Sequence, residues 1–403
     1  MRAASRLIPA VPLIAGLLLT TGGAAVAASP PAPVAPAFTI TADRAAAIPA
    51  GHKWSFNDFF PRSATVAQGS TVAFATEGFH TATLLPLSWT SAADNQVSGI
   101  VAADIDDVTL NANGTTRTLE NVQNVLPVPG AGCGTADQPC TFDGLSIVSM
   151  GAPLAGPPAP FLVTITAAPG TYAFHCRIHQ GMVGSLTVVP ADSKTATTTT
   201  ATAEAAATAQ AAEDVTAGMA AETAADKASV RTNPNGTKTW TVHVGASDPA
   251  GRVAILDMLP RKLDVKSGDT VVWRPLDKNE PHTVTFPGDI HTADIPSCEG
   301  ADGKDTPAIP TVVPPTSPFD FACSGHPADE IEFGGGNGVK TVSSPTSVSD
   351  SGVVAYWTVL RGFSVPATGA LSSWSVKFTG AKKGTYTYVC QIHNGMKGTV
   401  VIR

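Results

Sequence analysis

Short runs of alternating apolar and polar residues recur along the chain and are broken by Gly, Pro and Asn. Examples are Phe161-Leu162-Val163-Thr164-Ile165-Thr166, Trp240-Thr241-Val242-His243-Val244 and Trp374-Ser375-Val376-Lys377-Phe378. A period of two marks strands with one buried face. Several such strands in each half predict an all-β chain of Greek-key β-sandwiches. The pattern also repeats. Asp58-Phe59-Phe60-Pro61-Arg62 leads through a strand-like run at 65–72 to His80, and Asp257-Met258-Leu259-Pro260-Arg261 leads through 263–271 to His282. The offset is 199 residues at the Asp-x-x-Pro-Arg stretch, 202 at the histidine and 214 at a later cysteine. These are two copies of one fold, with the length differences confined to loops.

Composition and local sequence place the boundaries. The chain has 403 residues, too many for one ordinary domain, and the 37 Gly and 33 Pro with only 14% charged residues favour turn-dense β structure. Residues 1–27 read as a secretory signal: Arg2 and Arg6, an apolar stretch from Leu7 to Leu19, and Ala25-Val26-Ala27 as a cleavage site. The expected location is extracellular or periplasmic after cleavage near Ala27, and nothing later resembles a membrane span. Residues 28–49 are expected to form a flexible leader, 50–190 the first domain and 232–403 the second. Between them, residues 191–231 are rich in Ala, Thr and Glu and read as a linker, helical from about Thr202 to Lys227. Insertions at about 86–160 and 288–350 are expected to be loops with short strands or turns.

The chemistry lies where strands end. In each copy a cysteine is followed three residues later by a histidine and three after that by a methionine: Cys176, His179, Met182 and Cys390, His393, Met396. A thiolate, an imidazole and a thioether on one tight loop form a soft ligand set, which suits copper better than zinc, calcium or magnesium. A blue-copper centre needs a second histidine from elsewhere in the fold, and His80 and His282 are placed to supply it. Four cysteines remain, in two local pairs: Cys133 with Cys140, and Cys298 with Cys323. In an exported protein each pair reads as a disulfide stapling an inserted loop.

Both halves resemble the cupredoxins. The short Cys-x-x-His-x-x-Met loop, with Tyr-x-Tyr before it and Met-x-Gly after it, is similar to amicyanin and related small plastocyanin-like proteins. The resemblance implies that His80, Cys176, His179 and Met182 ligate one copper ion, and His282, Cys390, His393 and Met396 a second. It further implies a tandem blue (type 1) copper protein that carries electrons rather than an enzyme, with no catalytic residues. Electrons would enter and leave through exposed edges of His179 and His393, where redox partner proteins dock transiently.

Charge sharpens this expectation. Residues 50–190 carry 4 basic and 9 acidic side chains and residues 232–403 carry 15 and 16, about −5 and −1, with no basic patch to favour nucleic acid. Two other readings use the same residues. In a nitrite-reductase-like oxidoreductase, His175 beside Cys176 would reach an additional catalytic copper with His291 or His326. The other is a copper storage or delivery protein. Against an oxidase-type cluster, the chain contains no His-x-His pair.

Overall fold

The computed structural model describes residues 33–87, 133–151, 159–176, 179, 181–278, 280–288, 341–347, 349–351, 354–355, 373–390, 392–393 and 395–403. Backbone strands alone are described at 105–110, 116–121, 296–299, 305–307, 309–310, 321–323, 326–327, 330–333 and 339–340. Val34–Arg403 form one compact unit, and of the other unit, Met1–Pro33, only Pro33 is described.

The alternating segments form the strands of paired sheets. In the first repeat one sheet runs in the order Phe59–Phe60, Thr39–Ala42, Thr71–Thr76, Phe161–Ile165, Cys140–Phe142. Its partner sheet runs Val148–Ser149, Thr83–Leu84, Gly170–His175, Val183–Val189, Ser63–Ala67. The second repeat reproduces the first order as Val253–Leu259, Lys238–Ser247, Thr270–Leu276, Trp374–Lys377, Val339–Thr341. Its other sheet begins at Ser349–Asp350 and continues through Thr285–Phe286, Gly384–Val389, Lys397–Ile402 and Lys262–Val265. Even the register is shared: Ile40 lies opposite Phe74 across a parallel pair, and Val242 lies opposite Trp273. This is the all-β sandwich architecture expected from the sequence.

Alternation puts the large rings inside. Gly170–His175 buries Tyr172 and Phe174, and Gly384–Val389 buries Tyr386 and Tyr388. Phe174 meets Phe59 and Phe74 edge-on at 4.8 and 5.5 Å, while Trp273 meets Tyr388 and Phe286 at 5.2 and 5.6 Å. Edge-to-face packing at such distances adds to the burial of each ring. The strands that deliver the motif cysteines are therefore anchored by aromatic pairs two residues before each cysteine.

The leader expected at 28–49 requires correction. Thr39–Ala42 is an interior strand of the first sandwich, with Phe38, Ile40 and Ala42 buried, so the first repeat begins before residue 39. Residues 38–42 alternate apolar and polar like any strand; the Ala/Pro-rich stretch preceding them masked that signal.

A short strand, Trp54–Phe56, joins the two repeats. It leaves the first sandwich and pairs antiparallel with Val253–Leu259 of the second, placing Trp54 opposite Ile255, Ser55 opposite Ala254 and Phe56 opposite Val253. At the 199-residue offset, Trp54 corresponds to Val253 and Phe56 to Ile255. Equivalent strands thus pair with each other, as across a two-fold axis in an isologous dimer.

The segment between the repeats is an α-helix, Thr200–Ala225, capped by Thr199, whose hydroxyl accepts from Thr202 N at 3.2 Å while Thr199 N donates to Thr202 Oγ1 at 2.8 Å. Ala203, Ala207, Gln210, Ala211, Asp214, Gly218 and Ala225 are buried at helical spacing. Small residues let the helix lie close against the joined sheets. It shares a core with Trp54, Phe56 and Phe60 of one repeat and Val253, Ile255 and Leu259 of the other. Its acids meet equivalent arginines: Arg62 Nη2 donates to Asp214 at 2.6 Å and Arg261 Nη2 to Glu222 at 3.4 Å. Each arginine also binds the aspartate four residues before it, Asp58 or Asp257. The helix is a docked element, not a free tether.

Within the insertions, the hairpin Ile105–Leu110 and Thr116–Asn121 pairs with Glu330–Phe333, so strands from both insertions share one sheet. Cys133 and Cys140 form a disulfide with Cα atoms 4.8 Å apart. The expected Cys298–Cys323 pairing falls on residues described only as backbone.

Candidate metal centres

The motif loops are closed by the same two backbone hydrogen bonds in both repeats. Cys176 N donates to Met182 O at 3.0 Å and Met182 N to His179 O at 3.2 Å; Cys390 N donates to Met396 O at 2.9 Å and Met396 N to His393 O at 3.2 Å. These bonds turn each loop back on itself, so that methionine backbone meets cysteine and histidine backbone beneath the strand ends. The remote histidine arrives from the strand-end segment that precedes Thr83–Leu84 or Thr285–Phe286.

Three donor atoms converge in each repeat. In the first, His80 Nδ1 and His179 Nδ1 are 2.8 Å apart, and Cys176 Sγ lies 3.9 and 3.6 Å from them. In the second, His282 Nδ1 and His393 Nδ1 are 3.1 Å apart, with Cys390 Sγ 3.7 Å from His393 Nδ1. Within each triad, ligand atoms lie within 4.8 Å of one another. Met182 and Met396 are buried in the cores beside these clusters. One backbone amide points at each sulfur, Thr81 N at 3.4 Å from Cys176 Sγ and Thr283 N at 3.4 Å from Cys390 Sγ.

The electrostatics favour a thiolate in both. Burial pushes the Cys176 thiol up, but the charge of His179 and hydrogen bonds from His179 and His80 outweigh it and hold the thiol well below its usual value. The same balance, with His282 and His393, lowers Cys390. The thiolate is the form that ligates metal. Two imidazoles, one thiolate and a nearby thioether fit copper: the nitrogens alone would suit several transition metals, and the sulfurs select against hard cations.

All four imidazoles turn Nδ1 inward and Nε2 toward a carboxylate. His80 Nε2 lies 3.6 Å from Asp43 and 3.4 Å from Ser55 Oγ, and His282 Nε2 lies 3.7 Å from Asp277. His179 and His393 share a single partner. Glu280 Oε1 is 2.9 Å from His179 Nε2, and Glu280 Oε2 is 3.4 Å from His393 Nε2. Asn57 Nδ2 also donates to Glu280 Oε1 at 3.1 Å. Burial pushes the Glu280 carboxyl up, but the charge of His179 and hydrogen bonds from both histidines hold it well below the usual carboxylate range.

The expected open edge is absent at His179, which is only 6% exposed, while His393 keeps 15% of its side chain exposed; the Nε2 atoms of both face Glu280. Gln180 and Asn394, expected on a docking face, lie outside the described residues. His175 is buried at a strand end, paired on the backbone with Thr83 and Val183. His291 lies outside the described residues and His326 is described only as backbone. Of the expected ligand residues, the structure brings His80, Cys176 and His179 together in one cluster and His282, Cys390 and His393 in the other; Asp43, Asp277 and Glu280 beside them carry no signal in their spacing from the motifs.

The chain matches no protein-family model and no curated protein. Among solved structures it is similar to a dithionite-reduced auracyanin from Roseiflexus castenholzii, at 19% identity over 39% of this chain and 99% of that one, with a TM-score of 0.22. Auracyanin B is 22% identical over 40% of this chain and 96% of that one, with a TM-score of 0.21. A Cu(I) amicyanin mutant is 17% identical over 40% of this chain and 80% of that one, with a TM-score of 0.17. The fold described above is all-β on its own topology.

Proposed function

We propose that the chain is an exported electron-transfer protein holding one type 1 copper ion in each of two tandem cupredoxin domains. The carrying observation is that two equivalent clusters of two imidazole Nδ1 atoms and one cysteine sulfur converge at the same place in the two repeats. His80, Cys176, His179 and Met182 would hold the first ion, and His282, Cys390, His393 and Met396 the second; copper so held would supply one-electron chemistry. The chain's own contribution is a rigid, dry cage. Strands pinned by buried rings fix the cysteines, and the Glu280 carboxylate on the Nε2 atoms of His179 and His393 fixes the orientation of those two imidazoles. A cage that changes little between oxidation states favours fast transfer.

Burial of the ligands supports a resident ion over an exchanged cargo: His80 and His282 are wholly enclosed. Among the described residues no helix is long and apolar enough to cross a membrane. Residues 1–27 as a cleaved signal, a secreted or periplasmic location and transient docking with redox partners complete the proposal. Metal analysis with visible spectroscopy on the purified chain tests it. Two copper ions and intense blue colour are expected; a chain that stays colourless after reconstitution with copper overturns it.

A further inference from the structure

We propose that Glu280 is a shared positioning residue that couples the two metal sites, one carboxylate oxygen orienting His179 of the first and the other orienting His393 of the second. This inference rests on the copper reading above. Three donors converge on the buried carboxylate: His179 Nε2 at 2.9 Å and Asn57 Nδ2 at 3.1 Å on Oε1, and His393 Nε2 at 3.4 Å on Oε2. A buried carboxylate without partners is costly, so a site that keeps one must satisfy it.

The residue is not an inherited feature of the repeat. Counted back from the remote histidines, position 78 of the first repeat corresponds to 280, and it is glycine. A Cβ there would stand 2.4 Å from Asp43 Oδ2 and 2.9 Å from the His80 ring. The converse holds at the position of Asp43, whose counterpart is Gly245; the two share a left-handed backbone, φ 62° and 65°. A Cβ on Gly245 would come within 2.2 Å of His282 Nε2. The repeats have therefore diverged in opposite senses. Each repeat has an acid near its own remote histidine, Asp43 or Asp277, but only the second adds an acid that meets its own motif histidine and, across the join, that of the first.

The consequence is linkage. A metal ion that fixes His179 fixes the Glu280 oxygen it donates to, and with it the orientation of His393. Filling either site should therefore raise the affinity of the other, by the same factor in both directions.

The test is a Cu(I) competition titration on the full chain, with Cys176→Ser and Cys390→Ser as single-site backgrounds. Glu280→Ala should weaken both sites, by about 10- to 100-fold each. Glu280→Gln keeps one acceptor oxygen, which Asn57 and His179 hold, and turns an amide N–H toward the His393 N–H. It should weaken the second site more than the first. In the metal-free wild type, two hydrogen-bonded imidazole Nε2–H protons should be visible by NMR, assigned to His179 and His393. Both should be lost in Glu280→Ala, a change that general loosening of the fold would not confine to these two signals. If wild type binds two copper ions but Glu280→Ala leaves either site's affinity unchanged, the coupling is overturned while the copper reading stands. Failure of wild type to bind copper overturns both. Should Glu280→Ala not fold, Glu280→Gln and the wild-type NMR signals decide: absence of either signal, or equal effects of Gln on the two sites, overturns the proposal.

Discussion

The two His-Cys-His clusters have the same three donor types and the same loop hydrogen bonds, yet different surroundings. At the first, Asp43 stands beside His80, held by Ser55 Oγ at 3.1 Å and Phe56 N at 3.2 Å. At the second, Asp277, from the segment just before Glu280, takes that place beside His282, and Gly245 leaves the space where Asp43 would have been. The inner donors of a duplicated site are constrained by the ion. The groups behind them need only place a carboxylate near each Nε2, which several backbone positions can do. Each repeat has therefore found a different solution within an unchanged sandwich.

The sharpest way to test that difference is to impose one solution on the other repeat. Gly245→Asp should abolish metal binding at the second site, because its Cβ alone would collide with the His282 ring, while the first site keeps its ion. Copper counting on the variant checks this, and two retained ions would show that the sites tolerate each other's surroundings. Asp43→Ala should lower first-site affinity by roughly 10-fold or more and leave the second unchanged; competition titration in the Cys390→Ser background reads it. A smaller effect is expected at the helix. Gly218 packs so closely that an added Cβ would stand 2.9 Å from Val253 and 3.0 Å from Trp54. Gly218→Leu should cost about 1–3 kcal/mol of stability by overpacking, seen as a lowered denaturation midpoint with both ions still bound.

The smallest effect separates the two Asp–Arg pairs. Burial is the main force pushing Asp58 up, to about 7, against the opposing charge of Arg62. Asp257, also raised by burial, faces a more exposed arginine. A carboxyl raised in the folded state binds its proton more tightly there than when unfolded. Its contribution is fully present below pH about 4 and is lost as the pH rises through about 7. Asp58→Asn should flatten the fall in stability across that window, and Asp257→Asn should flatten it less. Denaturation midpoints measured from pH 4 to 8 distinguish the two.

What the sequence makes legible follows from what is local. Strand alternation and the Asp-x-x-Pro-Arg repeat reveal the sandwiches, since both are written in consecutive residues. The Cys-x-x-His-x-x-Met spacing points to three candidate ligands per cluster because one loop carries them. His80 and His282 are recoverable only because the repeat supplies a second copy to compare. The partners on Nε2 leave no such trace: Glu280 acts on His179 from more than a hundred residues away, and its repeat counterpart is glycine. The inward orientation of the motif histidines is likewise invisible, since it depends on Trp54–Phe56 pairing with Val253–Leu259. The helix is legible from its Ala/Glu composition, but its docking depends on a stripe of alanines that composition alone reads as a tether.

The central claim is that both clusters hold copper, and copper stoichiometry read beside visible absorbance in wild type, Cys176→Ser and Cys390→Ser tests it most directly. We expect two ions in the wild type, one in each variant, and about half of the blue absorbance lost each time. A variant that keeps the full metal content and colour of wild type would contradict it.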